Sequence, residues 1–303
     1  MPRAEATSAA WAHTGRRRTR PWSERLRVCA FLIALHALPA IALARGARPA
    51  DWALCALMYA VFGFAIGVCL HRYFAHRSFR TGRFAQAALA MIGALVFTDP
   101  IGFSGKHRLH HRHADGPGDV HSPRQGLWFC WIGSLIDEGY TREEVLAIVP
   151  DWQRYPELVW LHRAFFLPGS ALAAAFYALG GFSTLAIGFC LPLALVLHAT
   201  SAVNYFGHGA GERRFATRDA STNHFWLALV SFGEGWHNNH HRFPYSARAG
   251  LARAEWDVCF LWILALERIG LVRDVRVPPP HLIDAISPRA LDERPCARAP
   301  LIP

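Results

Sequence analysis

Gly233-Glu234-Gly235-Trp236-His237-Asn238-Asn239-His240-His241 sets three histidines at offsets of zero, three and four. At about 100° per residue, His240 and His241 fall roughly 60° and 40° to either side of His237, so three imidazoles leave one helix face. The same spacing recurs as His107-x-x-His110-His111, with a looser version as His71-x4-His76. Three such clusters in one chain need a common cause. Crowded imidazoles repel one another when protonated and contribute little when neutral and unpaired, whereas a metal turns the crowding into binding energy. Eight histidines stand in these clusters, more than the four that close a zinc site. Two centres of higher coordination number suit them better, and imidazole accepts iron, zinc, copper or nickel.

Outside the clusters the chain is apolar. Of its 303 residues 52% are hydrophobic, and they come in blocks, which marks a membrane protein rather than two soluble domains. The net charge of +10 is concentrated in arginine, with Arg16, Arg17, Arg18, Arg20, Arg25 and Arg27 before or at the start of the first block. Beside an apolar span such a patch reads as a cytoplasmic flank, not a nucleic-acid surface. The seven cysteines show no C-x-x-C spacing, and Cys29, Cys55, Cys69 and Cys190 lie inside apolar blocks as small hydrophobes. Ala42-Leu43-Ala44 faintly resembles a signal-peptide cleavage site, but the long basic segment ahead of it favours an uncleaved first span.

The reading is an all-α integral membrane protein. Residues 1–24 form a disordered basic tail, 25–275 the membrane domain, and 276–303 an irregular proline-rich tail. Spans are expected at 26–44, 52–70, 158–179 and 182–203 as two hairpins, each long enough for about 30 Å of hydrocarbon. Pro39 is expected to kink the first, and 255–271 is amphipathic. Block 84–98 is ambiguous by length, and parity settles it: the clusters share one side only if this block does not cross. The basic loop at 72–83 and the neutral turn at 180–183 make that side cytoplasmic. Since His71 and His76 lie about 140° apart on an ideal helix, the second span is expected to unwind between them. A redox-active metal pair beneath a membrane surface suggests dioxygen chemistry on a lipid-like substrate.

The motifs resemble those of the membrane fatty-acid desaturases, in particular the acyl-CoA (stearoyl-CoA, Δ9-type) branch. The resemblance rests on His71-Arg72-Tyr73-Phe74-Ala75-His76, on His107 to Asp115 with Asp119-Val120-His121-Ser122-Pro123, and on Gly233 to Pro244. It spans roughly residues 25–275. It implies four membrane helices with a cytoplasmic helical cap and two iron ions on nine histidines: His71, His76, His107, His110, His111, His208, His237, His240 and His241. Asn204, in the Asn204-Tyr205-Phe206-Gly207-His208 pattern, is implied to hold an iron through water. The implied reaction is O2-dependent insertion of a cis double bond into a saturated acyl chain. Asp115, Asp119 and Glu234 are candidates to orient imidazoles, and Tyr59 a candidate to limit chain length or simply to pack. His36, His162 and His198 are read as packing or hydrogen-bonding residues, and His13, His113, His121, His224 and His281 as surface residues or neighbours of ligands.

The head-group region departs from that branch. Phe103-Ser104-Gly105-Lys106 stands where Arg-Asp is usual, Asp137-Glu138 where basic residues are, and Cys130-Trp131-Ile132-Gly133-Ser134 replaces Ser-His-x-Gly-Trp. The acyl carrier is therefore CoA, an acyl-carrier protein or a lipid, and a basic face would attract an acidic carrier protein. No His-Pro-Gly-Gly signature of a fused cytochrome b5 is present. Electrons are expected from a separate ferredoxin- or cytochrome b5-type donor with its reductase. Hydroxylation and acetylenation are alternatives within the same chemistry. A non-redox, histidine-rich metal-binding membrane protein is the alternative from another class, but it predicts ionisable groups along the spans, where few occur. The Ala/Arg-rich composition points to a bacterial inner membrane; in a eukaryote the same layout would place the protein in the endoplasmic reticulum.

Overall fold

The computed structural model describes residues 20–137 and 142–284. His13, Glu138 and most of both expected tails lie outside them. Among the described residues, three helical stretches are long and apolar enough to cross a membrane: Trp22–Arg45, Pro49–Ala75 and Phe166–Phe206. Helix α1 (Trp22–Arg45) begins inside the expected tail and runs on through Pro39. Helix α2 (Pro49–Ala75) follows after a three-residue link. Its buried Asp51 accepts hydrogen bonds from Arg48 Nε at 3.0 Å, Ser183 Oγ at 2.7 Å and Thr184 Oγ1 at 2.7 Å. One carboxylate thus ties the α1–α2 link to residues 183–184.

Short strand β1 (Arg80–Thr81) and helix α3 (Arg83–Ala94) come next. At 12 residues, α3 is about 18 Å long and too short to span a bilayer. Asp99 caps α4 (Pro100–His113), its Oδ1 accepting from Gly102 N at 2.7 Å. Helices α5 (Arg142–Ile148) and α6 (Pro150–Gln153) close over it.

The span expected from 158 begins later. Residues 156–163 form a separate helix, α7 (Pro156–Arg163), which ends at Ala164 (φ −117°, ψ 23°). Pro156 fixes its first turn, Leu158 and Leu161 bury in the cap core, and His162 Nδ1–H donates to Asp99 Oδ1 at 2.8 Å. Polar His162 and Arg163 at its C-terminal end explain why it stays with the cap rather than joining the apolar stretch behind it.

Helices α8 (Phe166–Ser183) and α9 (184–206) share the third long stretch. It is not straight. Gly181 is non-helical (φ 73°, ψ −162°), a conformation open essentially to glycine alone. The rings of Phe176 and Phe189 lie 6.0 Å apart, where an unbroken helix would hold them roughly 20 Å apart. The chain therefore doubles back at Gly181. Later elements include α10 (Phe225–Val230), α11 (His237–Arg242), α12 (Val258–Arg268) and β2 (Val272–Arg273), which pairs antiparallel with β1 through Arg80↔Arg273 and Thr81↔Val272. The cap core gathers Phe74, Phe79, Ile101, Trp152 and Ile263. Trp152 Nε1–H closes it by donating to Phe74 O at 2.8 Å.

Candidate metal centre

The first histidine pair is set by the way α2 ends. Residues Ala65–Ala75 wind as π-helix, in which each amide bonds five residues back rather than four. His76 N–H accordingly donates to His71 O at 3.1 Å. The five-residue spacing that an α-helix would splay becomes one turn, and the two imidazoles lie 4.9 Å apart, centroid to centroid. The helix widens here; it does not unwind as the spacing suggested.

Helix α4 carries the second cluster and α11 the third, each at α-helical spacing. His208 follows the end of α9. The nine histidines separate into two groups whose candidate ligand atoms lie within 4.8 Å of one another: His71, His76, His107, His111 and His240, then His110, His208, His237 and His241. The groups are adjacent, with the ring centroids of His111 and His241 4.4 Å apart. Neither group comes from one element. His240 joins the α2–α4 set while His237 and His241 join His208, so α11 bridges the two.

Four Nδ1 nitrogens point outward to carboxylates. His110 donates to Asp119 at 2.9 Å, His208 to Asp115 at 3.2 Å, His241 to Asp219 at 2.8 Å, and His71 pairs with Glu234. Each bond orients a ring and leaves the Nε2 lone pair aimed inward. Asp219 has no marker in the sequence, since it lies 22 residues from its histidine in a loop. Arg72 is buried and anchors the other side of Glu234 (2.9 Å), and it also bonds Asp257 and Ala247 O. The two asparagines between the α11 histidines hold flanking loops. Asn238 Oδ1 accepts from Phe215 N at 2.7 Å, and Asn239 Nδ2 donates to Ala249 O and Glu255 Oε2 at 2.9 Å.

This donor set fits metal ions. Nε2 atoms that carry no proton face one another at hydrogen-bonding distance, as in His110–His241, and such lone pairs repel unless a cation lies between them. Burial, reinforced by neighbouring imidazoles, pushes His107, His110, His237, His240 and His241 well below the usual histidine range and His111 down to about 3. The rings are therefore held neutral, the form that ligates. Burial alone would raise the Glu234 carboxyl, but His71 and Arg72 outweigh it and hold it at about 2.

Other sequence candidates fall outside the two groups. Asn204 sits one helical turn before His208, half-buried. Tyr59 donates to Val230 O at 2.6 Å and packs on Phe232. His36 and His198 pair through Nε2 atoms at 2.9 Å, and Trp131 Nε1–H donates to His198 Nδ1. His121 lies against His110, with ring centroids 4.3 Å apart, while His281 is exposed. In the departing stretch, Phe103 stacks on His107 and Asp137 pairs with Arg25 at 2.8 Å.

Comparison with known proteins agrees with these motifs. A family model described as fatty acid desaturase matches residues 48–258. The chain is 36% identical over 269 residues to icosanoyl-CoA 5-desaturase of Limnanthes douglasii, covering 86% of this chain and 74% of that protein. It is 37% identical over 225 residues to Delta-9 acyl-lipid desaturase 1 of Arabidopsis thaliana (73% and 74%). Against sn-2 palmitoyl-lipid 9-desaturase of Nostoc it is 36% identical over 235 residues (75% and 82%).

Proposed function

The chain belongs to the fatty acid desaturase family, oxidoreductases that desaturate fatty acyl chains, and from that premise we propose that it is a membrane di-iron enzyme placing a cis double bond in a saturated acyl chain, of Δ9 type and on acyl-CoA. The observation that carries this reading is the adjacency of two histidine groups, five and four strong, at the end of an apolar helix. His71, His76, His107, His111 and His240 would hold one iron, and His110, His208, His237 and His241 the other, with Asn204 acting through water. The chemistry supplied by bound iron is reductive activation of O2 and removal of a hydrogen from each of two adjacent methylenes. The protein's own residues keep the imidazoles neutral, fix their rings through Glu234, Asp115, Asp119 and Asp219, and shield the site from water by burial.

In this reading α8 and α9 each cross the bilayer, giving four spans as two hairpins with the histidines on the cytoplasmic side. A bacterial inner membrane and a separate ferredoxin- or cytochrome b5-type donor belong to the same proposal. A second reading, with lipid-linked chains as substrate, is favoured by Phe103-Ser104-Gly105-Lys106 in place of the usual Arg-Asp and by the similarity to acyl-lipid desaturases. Fatty-acid profiling of an expressing strain, by lipid class and double-bond position, tests both, with His240→Ala as control. New monoenes lost in the control are expected; hydroxylated chains alone would overturn desaturation. Iron analysis should return two ions per chain.

A further inference from the structure

Away from the histidines, a pocket of about 180 Å3 lies where the end of α2, the β1–β2 ribbon and the start of α3 meet. Its rim carries Arg77, Arg80, Arg273 and Arg276, all exposed, and its floor holds the buried Tyr73 and Gln86. The cross-strand pairing Arg80↔Arg273 sets two arginines directly opposite one another, an arrangement that is destabilising unless a negative charge offsets it. The carboxylates in reach offset only part of this. Asp151 meets Arg77 at 3.3 Å but is already engaged by Arg108 at 2.7 Å and 2.9 Å, and Asp274 meets Arg80 at 3.3 Å. No carboxylate among the described residues pairs with Arg273 or Arg276.

A second observation points to a ligand. Tyr73 O–H donates to Gln86 Oε1 at 3.0 Å, which leaves Nε2 as the other end of the amide. Gln86 is 4% exposed, yet its Nε2 has no partner. A buried amide donor left unpaired is costly, and here it lines a pocket ringed by arginines. Guanidinium forks with a neutral N–H donor at the base match a tetrahedral oxyanion.

The surroundings indicate the source of that anion. Phe84, at the start of α3, is 96% exposed, and Ile269 and Leu271, leading into β2, are 69% and 48% exposed. Thr81 Oγ1–H donates to Leu271 O at 2.6 Å, which holds this apolar fringe against the arginine rim. Apolar side chains beside a basic pocket suit the interface of a bilayer, with the fringe in the acyl region and the arginines at phosphate depth. We propose that this pocket binds the phosphate group of an anionic phospholipid headgroup, with Arg273 and Arg276 as its principal charge partners and Gln86 Nε2 as the donor at its base.

The site is independent of the iron chemistry, and so is its test. Trp152 lines the pocket beneath Arg77, whose guanidinium carbon is 5.0 Å from its ring centroid, so tryptophan fluorescence of the purified full-length protein is a natural readout. Dihexanoyl phosphatidylglycerol, dihexanoyl phosphatidylcholine and inorganic phosphate are titrated separately. Saturable binding of the glycerol lipid, at least tenfold tighter than of either other probe and weakened at least tenfold in Arg273→Gln/Arg276→Gln, is expected. Gln86→Leu should weaken it too, without changing the iron content. Equal binding of inorganic phosphate, lost in the double variant, would overturn the lipid source and assign the pocket to a soluble phosphate. A response of all three probes that the double variant leaves unchanged would overturn the site itself.

Discussion

His76 N–H donates to His71 O at 3.1 Å, five residues back along α2, and this one bond places two imidazoles on the same edge of the cluster. The wide turn needs space behind it. At Gly67 an added Cβ would run into Cys259 Sγ and approach Glu234 Oε1 at 3.2 Å, the carboxylate group that anchors His71. Gly67→Ala is expected to destabilise the protein by about 1–3 kcal/mol through overpacking and to lower the iron content. Thermal unfolding and metal analysis check it; an unchanged melting temperature would show that α2 shifts freely here.

Asp219 orients His241 from a distant loop. Asp219→Ala is expected to weaken metal retention about 10–100-fold, seen as faster loss to a chelator. Asp219→Asn keeps an acceptor oxygen and should recover part of it. Equal retention in both variants and the parent would deny the carboxylate its role.

Arg72 stands buried between Glu234 and Asp257. Arg72→Met leaves two buried carboxylates without their cation, at a cost of about 3–5 kcal/mol. The variant should unfold at markedly lower temperature, and Arg72→Lys should fall between the two. A parent-like melting curve for Arg72→Met would refute the account.

In metal-free protein His107, His110, His111, His237, His240 and His241 have folded pKa values below those of the unfolded chain. As pH falls below about 6.5, the unfolded chain takes up protons that the folded chain refuses, so stability declines as pH drops. Each such histidine contributes at most about 1.4 kcal/mol per pH unit. Melting of the apo-protein should drop steeply between pH 7.5 and about pH 5.5, and bound iron should raise the whole curve without changing that slope while its imidazole ligands stay bound, because the rings it binds are already neutral. A flat apo profile would contradict the neutral cluster.

Gly181 carries the reversal between α8 and α9 at φ 73°, ψ −162°. Gly181→Ala is expected to cost about 1–3 kcal/mol, whereas Gly46→Ala (φ 88°) tests a positive-φ site outside this turn. Differential scanning of the two variants separates strain at the reversal from a general glycine effect.

Much of this protein is local, and what is local can be read from the chain. The i, i+3, i+4 spacing of His107, His110 and His111 and of His237, His240 and His241 states a shared helix face, because helical geometry repeats every few residues. Apolar runs state membrane-length helices for the same reason, and Asp115, Asp119 and Glu234 stand within or beside the histidine motifs. Other features depend on contacts between distant segments. The π winding that joins His71 to His76, the break at Ala164 that leaves Pro156–Arg163 with the cap, the recruitment of Asp219, and the division of nine histidines into five and four follow from how α2, α4, α9 and α11 converge. Sequence spacing specifies directions around one helix axis; only the packed fold sets where those axes meet, and the meeting of the axes makes the site.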